Sequence, residues 1–177
     1  MADANITKGS LARAMKQLMS EKSFAKISIT DICDLCGMNR KSFYYHFKDK
    51  YDLMNWIFYT EFIVMVSNGS YENGWDLLEA VCELLYKDKG FYRAALRTEG
   101  QNSFREFILE SMNPIINFLF DDMLEAITDV GLTGKMFCEM YLIAVSNWME
   151  DGCKSTPAEF TNSIKQLIKK LAASIED

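Results

Sequence analysis

The chain is poor in the residues that interrupt helices and in the residue that most often serves catalysis and metal binding. Among its 177 residues are two prolines and a single histidine, His46. One histidine cannot supply the repeated imidazole ligands of a zinc enzyme, and no nucleophile–base pair is recognisable in the sequence. The longer uncharged runs, 62–71 and 140–149, fall short of the ~18 to 20 residues needed to span a bilayer. We therefore expect neither an enzyme nor a membrane protein.

Cysteine is present, but its spacing does not favour a metal site. The five cysteines are an odd number, and Cys33 and Cys36 form a CxxC pair without a second pair elsewhere. Both lie on the inner face of a predicted helix, where small apolar residues belong, so we expect core packing and no metal or cofactor. Asp3 and Lys8 interrupt the first residues, and no apolar segment of a signal peptide follows. Reduced thiols and a cytoplasmic location are expected.

Charge is distributed unevenly along the chain. The net charge of −6 argues at first sight against a nucleic-acid partner. Residues 1–50, however, hold nine Lys or Arg and five Asp or Glu, a balance of +4, and residues 51–177 carry −10. A basic N-terminal part on an acidic body predicts that a phosphate-facing surface lies near the N-terminus.

Residues 27–53 have the pattern of two short helices joined by a glycine turn. Ser28 and Asp31 have the spacing of a capping box, with Asp in place of Glu or Gln, and Gly37 stands where the helix should end. Asn39 is a candidate cap for the next helix. Two capped helices at this separation predict a helix-turn-helix whose second helix enters a DNA major groove.

The remaining chain shows helical periodicity and no strand pattern. The run 67–74 is a polar linker, and Thr156 with Pro157 marks the start of a last helix whose apolar stripe ends at Ile175. A break is expected at Pro114, and the stretch 131–135 (GLTGK) is expected to separate two helices. The fold class is therefore predicted to be all-α.

The second helix of the helix-turn-helix can anchor its inner side through Phe43 and Phe47, which lie four residues apart. The other sides then carry side chains suited to DNA. The alternative interpretation, a solvated basic face on a helical bundle, has less support because both helices carry caps at the right separation. The residues predicted to face bases are Arg40, Lys41 and Ser42, and those predicted to face phosphates are Ser28, Thr30, Tyr44, Tyr45, His46, Lys48 and Lys50.

These residues carry a resemblance to a known family. Ser28–Asp31, Cys36-Gly37-Met38, the run 42–47 (SFYYHF) and Lys50 resemble the N-terminal domain of TetR-family regulators. The resemblance covers about residues 6–62. It implies an obligate homodimer of about nine helices per subunit, a third helix that reads a palindromic operator in double-stranded DNA, and a fourth helix, about 50–66, that connects the two domains. The implied domains are a DNA-binding domain, 1–50, and an effector-sensing and dimerisation domain, 51–177.

A weaker resemblance extends from Trp56 to the end of the chain. The segments 100–104 (GQNSF) and 147–160 (NWMEDGCKSTPAEF) look like the branch that includes activators of dihydroxyacetone kinase operons. This leaves two kinds of control open, a small-molecule effector and a protein coactivator that docks on the C-terminal domain. It also leaves open whether the protein represses or activates transcription.

Two further sets of residues follow from apolar and aromatic patterning. The helix predicted over about 135–150 is apolar on two sides, so one side is expected to pack in its own subunit and the other on a partner, with full burial within one chain as the alternative. The candidate effector pocket comprises Trp75, Tyr86, Phe91, Tyr92, Phe104 and Phe107, with plain core packing as the alternative for each. The candidate dimer interface comprises Phe137, Met140, Tyr141, Ala144, Val145, Trp148, Ile164, Leu167, Ile168 and Leu171.

Overall fold

A computed structural model describes residues 2–100, 102–111 and 130–174, and every regular element in these ranges is a helix. The predicted all-α class is confirmed. The break expected at Pro114 and the stripe residue Ile175 lie outside the described residues. The helices are α1 (Ala2–Glu21), α2 (Ile29–Leu35), α3 (Arg40–His46), α4 (Lys50–Asn68), α5 (Gly74–Lys87), α6 (Lys89–Leu96), α7 (helical over 104–111), α8 (Val130–Glu150) and α9 (Pro157–Ala173), with a 3-10 turn at Phe24–Lys26 between α1 and α2.

The chain forms two compact units. The first comprises residues 1–63 and 90–108, and the second comprises residues 64–89 and 109–177. The domain boundary predicted after residue 50 is a division by function, and it stays a prediction.

In the first unit, α1 packs on α2 and α2 packs on α3. The apolar side chains that face inward from these helices are buried, because α2 packs on both α1 and α3. Local signals set the helix ends: Asn39 caps α3, and Asp49 Oδ1 accepts from the Asp52 N–H at 2.9 Å at the start of α4. The residues with complete burial here include Leu11, Met15, Ile32, Phe43 and Leu53.

The core of the second unit contains a buried tyrosine and a buried cysteine whose side chains are hydrogen-bonded to each other. Tyr141 of α8 is buried, and its hydroxyl donates to the Leu78 carbonyl at 3.3 Å while lying 3.0 Å from Cys82 Sγ. The Cys82 thiol can then donate to the tyrosine oxygen, so both groups are satisfied inside the core. Burial raises the pKa of Cys82 to about 11 and that of Tyr141 well above its ordinary value. Both groups therefore stay neutral at physiological pH.

One helix boundary differs from the sequence-based expectation. The stretch 131–135 (GLTGK) does not separate two helices, because α8 begins at Val130 and runs through it. Each glycine in a helix costs roughly 1 kcal/mol relative to alanine, which favoured a break there. Helical packing outweighs that local cost, and Gly134 is buried. By contrast, Thr156 and Glu159 form the expected N-terminal cap of α9, with Pro157 in the first turn.

Candidate nucleic-acid interface

The first element of the site is the N-terminus of α2, which is held by a complete capping box. The Asp31 N–H donates to Ser28 Oγ at 3.1 Å, and the Ser28 N–H donates to Asp31 Oδ2 at 2.7 Å. Lys22 Nζ lies 3.1 Å from the same Asp31 oxygen. Hydrogen bonds from the Ser28 backbone and side chain, with Lys22 nearby, lower the pKa of Asp31 to about 2. The carboxylate is therefore charged at neutral pH and holds the start of α2 in place.

A pH-dependent loss of stability is expected in an Asp31→Asn variant. Because the pKa of Asp31 in the folded protein, about 2, lies below its ordinary value of 3.8, the charged form favours the folded state. This stabilisation is fully present above pH ~4 and is lost as the pH falls toward 2. Thermal unfolding should show the variant less stable than the wild type at pH 7, with a difference that shrinks toward pH 2. Asp34→Asn, on the exposed side of the same helix, is the control and should change the stability at pH 7 by no more than about 0.5 kcal/mol.

The turn between α2 and α3 depends on Gly37. Its φ angle is +68°, and a Cβ added there would meet nothing within 4 Å, so backbone conformation and not crowding makes glycine the fitting residue. Two residues later, Asn39 Oδ1 accepts from the Ser42 N–H at 2.9 Å and starts α3. The glycine turn and the two capped helices predicted from the sequence are thus all present.

Helix α3 buries one side and exposes the other. Phe43 and Phe47 are buried against the rest of the first unit, as their spacing predicts. The structure leaves most of the predicted DNA-facing side chains open to solvent, and it half-buries three of them. The exposed ones are Ser28, Thr30, Arg40, Lys41, Tyr44, Tyr45 and Lys48, and the half-buried ones are Ser42, His46 and Lys50.

Four of the residues predicted to face DNA contact one another in two pairs within α3. An Arg40 guanidinium nitrogen lies 3.4 Å from the Tyr44 hydroxyl, and its guanidinium carbon lies 5.9 Å from the centre of that ring. The hydrogen bond to Tyr44 raises the pKa of Arg40, which is charged at any physiological pH in either case. The Tyr45 and His46 rings meet edge to face at 4.9 Å. Arg40 and Tyr44 therefore form an exposed pair of side chains that can approach DNA together.

Lys50 is placed differently from the other predicted phosphate contacts. Its Nζ donates to the carbonyl oxygens of Phe24 and Ile27, each at 2.8 Å, and to that of Ala25 at 3.4 Å. The Phe24 ring centre lies 4.5 Å from the same nitrogen. Burial lowers the pKa of Lys50. A phosphate contact by Lys50 would require these hydrogen bonds to break, so we do not carry that prediction into the interface proposed below.

The structure also shows basic residues that the sequence pattern did not single out. Lys8 Nζ lies 5.6 Å from the Phe47 ring centre and 5.4 Å from that of Trp56, where α3 leads into α4. Lys16 Nζ lies 2.6 Å from Glu61 Oε1, and the Tyr92 hydroxyl donates to the other oxygen of that carboxylate. These partners are 31 to 48 residues apart in the sequence, so no local spacing could have indicated them.

The chain matches two family profiles over most of its length. Residues 11–56 match the profile of bacterial regulatory proteins of the tetR family. Residues 72–170 match a transcriptional regulator C-terminal region, TetR_C_8. The chain belongs to the TetR family of transcriptional regulators. This agrees with the resemblance seen in residues 6–62 and with a capped helix-turn-helix at the N-terminus.

Individual relatives agree with this assignment. The HTH-type dhaKLM operon transcriptional activator DhaS from Lactococcus lactis subsp. lactis (strain IL1403) is 28% identical over 123 residues, or 68% of this chain and 65% of the relative. The match thus spans slightly less than two thirds of that relative's length. The solved structure of the dihydroxyacetone kinase operon activator DhaS gives a TM-score of 0.67 at 20% identity, covering 97% of each chain. FadR from Bacillus subtilis, in complex with stearoyl-CoA, gives 0.65 at 18% identity, covering 89% of this chain and 95% of FadR. These two structures share the fold of this regulator.

The residues predicted to line an effector pocket fall in both units. Trp75 and Tyr86 belong to the second unit, where Trp75 meets Phe137 edge to face at 6.4 Å and Tyr86 stacks on Trp148 at 6.0 Å. The other four belong to the first unit, where three ring centres lie 5.5 to 6.2 Å from that of Phe58, and the fourth ring, of Phe91, meets Tyr92 at 5.0 Å. Their packing is that of a hydrophobic core. The four are Phe91, Tyr92, Phe104 and Phe107.

In the part of the chain that the structure describes, a larger and a smaller cleft open on the surface of the first unit, and none of the six predicted pocket residues lines either. The larger, about 670 Å³, lies between the end of α1, the 3-10 turn, Tyr51 and α6. Its basic side chains are Lys22, Arg93 and Arg97. The smaller, about 370 Å³, lies where α1 meets the end of α2, beside Arg13.

The predicted dimer face stays a prediction, and its residues lie on two sides of α8. Phe137, Tyr141, Val145 and Trp148 are buried within the subunit: Phe137 stacks on Tyr141, and Trp148 stacks on Phe160 of α9 at 4.8 Å. The opposite side of the helix is the exposed one. Both sides are apolar, so periodicity alone could not decide which packs inward. The outward apolar stripe, with 49 to 64% of each side chain exposed, is Leu132, Met136, Met140 and Ile143.

The remaining predicted interface residues lie at intermediate or exposed positions. Ala144 is half-buried on α8. On α9, Leu167 and Leu171 are 55% and 54% exposed, while Ile164 and Ile168 beside them are half-buried. Large exposed aliphatic side chains in such rows are unusual for a surface that stays in water.

The CxxC pair occupies the end of α2. Cys33 is buried, and the Cys36 thiol donates to the Ile32 carbonyl at 3.2 Å. Burial raises the pKa of both thiols.

Among the described residues, no helix has the length and apolar character to cross a membrane.

Proposed function

We propose that this TetR-family protein is a homodimeric transcriptional regulator that binds a palindromic operator through α3. The observation that carries the proposal is the exposed side of that helix, on which Arg40, Lys41, Tyr44 and Tyr45 project from a capped helix-turn-helix. Arg40 and Lys41 lie in the first turn, the part of a recognition helix that reaches base edges. Ser42 is small enough for close approach to a base. Lys48, Ser28 and Thr30 flank this surface and are suited to phosphate oxygens.

Dimerisation is supported by the outward stripe of α8. Residues 132, 136, 140 and 143 follow helical spacing along one side, and α9 adds the exposed Leu167 and Leu171. A second copy of the same surface, related by a two-fold axis, would cover this apolar area. The two helix-turn-helix motifs of the dimer, related by that axis, would then enter successive major grooves ~34 Å apart.

Control is proposed to come from a small-molecule effector that binds the C-terminal domain and shifts the population of DNA-competent dimers. Support comes from FadR, which has the same fold and was solved with stearoyl-CoA. The second candidate is a protein coactivator, because the relative DhaS is an activator and the body of this chain carries a balance of −10. The two are distinguished by which part of a cell extract changes operator affinity, the low-molecular-mass filtrate or the retained protein.

Selection from random duplexes tests the operator proposal. The purified protein is incubated with the pool at two salt concentrations, and its mass in solution is measured in parallel. Enrichment of a palindrome bound by a dimer supports the proposal, and genomic matches to it upstream of genes identify the regulated pathway. Binding without enrichment would mean that the heads need an effector or partner to read sequence. Absence of binding at both salt concentrations contradicts the proposal.

Two substitutions, one on α3 and one just beyond it, should separate base reading from phosphate binding. Arg40→Ala should relax preference at one position of each half-site, by about 10- to 100-fold against the preferred base, because alanine cannot make the bidentate hydrogen bonds of arginine to guanine. Lys48→Ala should weaken binding to all sequences alike and reduce the slope of log affinity against log salt by about 0.9 for each phosphate that is no longer neutralised. Repeating the selection with each variant and measuring salt dependence checks both. An unchanged preference in Arg40→Ala would remove it from the base-facing set.

A further inference from the structure

Lys50 connects the two ends of the helix-turn-helix. Residues 28–47 form α2, the turn and α3, and they lie between Ile27 on one side and Lys50 on the other. The Lys50 ammonium donates to the carbonyl of Ile27 at 2.8 Å, and to the carbonyls of Phe24 and Ala25 in the 3-10 turn at 2.8 and 3.4 Å. One side chain therefore closes a loop of more than twenty residues, and closing a loop limits the arrangements open to the chain within it.

The geometry matches the chemistry of an ammonium group. A lysine has three donors and no acceptor, and here each donor has a carbonyl. The Phe24 ring centre lies 4.5 Å from Nζ, and Phe24 in turn meets the Tyr51 ring edge to face at 4.9 Å. The charge thus faces three oxygens and an aromatic ring, and each of its three donors is already used.

The tethered carbonyls lie immediately before the start of α2. Ile27 precedes Ser28, the N-cap whose box with Asp31 sets where α2 begins. Lys50 is itself the first residue of α4, three residues after Phe47, the C-cap of α3. Movement of Lys50 would therefore change the spacing between the entry to α2 and the exit from α3, and with it the angle at which α3 is presented.

We propose that Lys50 is a positioning residue: it contributes to operator binding by holding α2 and α3 in register, and not by contacting a phosphate. The proposal rests on the operator binding proposed above for its DNA readout, and on the free protein for its second readout. The hydrogen bonds from Lys50 to the carbonyls of Phe24, Ala25 and Ile27, the Lys50 tie, take the place of a phosphate contact by the same residue.

Three variants separate the two roles. Lys50→Met removes the donors and keeps an apolar stem of similar length. Lys50→Arg keeps the positive charge, but its planar guanidinium cannot direct three donors into a compact set of carbonyls. Lys48→Met removes an exposed lysine two residues away and serves as the matched control. Circular dichroism confirms that each variant is folded before binding is measured.

We expect Lys50→Met to bind the selected operator about tenfold or more weakly, since a loosened turn must be ordered again when α3 enters the groove. Its salt slope should equal that of the wild type, and its affinity for random duplex should be nearly unchanged. Lys50→Arg should not restore operator affinity. Lys48→Met should instead lower operator and random binding together and reduce the slope by about 0.9 for each phosphate it neutralised. If Lys50→Met shows that second pattern and Lys50→Arg binds like the wild type, the proposal is overturned.

Hydrogen exchange on the protein without DNA gives a readout that does not depend on operator binding. The amides of Ile27, Asp31 and Ile32 bond to the Phe24 carbonyl, to Ser28 Oγ and to the Ser28 carbonyl, all next to the tie. In Lys50→Met these amides should exchange at least about tenfold faster, while amides of α5 in the second unit keep their protection. Unchanged exchange at the three amides would refute the tie even if no operator were found, and faster exchange without any DNA binding would refute only the operator proposal.

Discussion

A Met140→Glu protein should be a monomer in solution and should bind the operator about a hundredfold or more weakly than the wild type. Met140 lies in the middle of the outward stripe of α8, between Met136 and Ile143, and 49% of its side chain is exposed in the single subunit. In a two-fold dimer the substitution occurs twice, and each new carboxylate would have to lose its water on association.

DNA affinity should fall because a monomer has only one helix-turn-helix motif to place on the operator. Two linked helix-turn-helix motifs bind a palindrome about 10² to 10⁴ times more tightly than one motif does, and a monomer lacks this increase in affinity. Analytical ultracentrifugation gives the oligomeric state, and titration of a fluorescent operator gives the affinity. The two measurements on the same sample connect the change in mass to the change in binding.

Val64→Glu is the matched control, because Val64 is an apolar side chain of comparable exposure, 54%, on a different helix. It should remain dimeric and bind operator normally. A Met140→Glu protein that stays dimeric would show that the subunits associate through another surface. A monomeric Val64→Glu protein would indicate that the interface extends to α4.

A Phe58→Ala protein should lose about 3 to 5 kcal/mol of stability in the first unit. Phe58 is completely buried, and its ring contacts those of Phe62, Tyr92, Phe104 and Phe107. Removing it leaves a cavity at the centre of this aromatic cluster, and the rings around it cannot all move in to fill the space. For a chain of this size the melting temperature should fall by roughly 10 °C.

Tyr59→Ala provides a close control, since Tyr59 is the next residue on the same helix and 52% of its side chain is exposed. Its effect on stability should stay within about 0.5 kcal/mol. Thermal unfolding followed by circular dichroism measures both variants. A small effect from Phe58→Ala would mean that the surrounding rings line a space able to adjust, as an effector pocket would, and the core assignment would fail.

The local features of the helix-turn-helix were predictable because their causes lie within a few residues. The box between Ser28 and Asp31 joins residues three apart, and Asn39 caps a helix through an amide three residues on. Gly37 ends α2 because its own backbone angle suits glycine. Hydrogen bonds and dihedral preferences of this kind are visible in a sequence with no knowledge of the rest of the fold.

Predictions failed or remained incomplete where the partner was distant. Lys50 looked like one more basic residue after α3, and only the position of the 3-10 turn, more than twenty residues earlier, makes it a tie. The sequence of α8 is apolar on both sides, and the inward choice depends on where α5 and α9 lie. Trp148 packs inward because Phe160 and Tyr86 are there to stack on it. In 131–135 the local preference of glycine was simply outweighed by helical packing.

The sequence by itself thus determined the all-α class, the caps and turn of the helix-turn-helix, and the basic exposed character of α3. Each of these rests on period, spacing or charge within one segment. The tertiary structure decided which side of α8 is buried and which is exposed, that Phe91, Tyr92 and Phe104 are buried, and that the Lys50 ammonium faces carbonyls. Burial and long-range hydrogen bonds depend on which distant segments contact each other, and those contacts form only when the whole chain is folded.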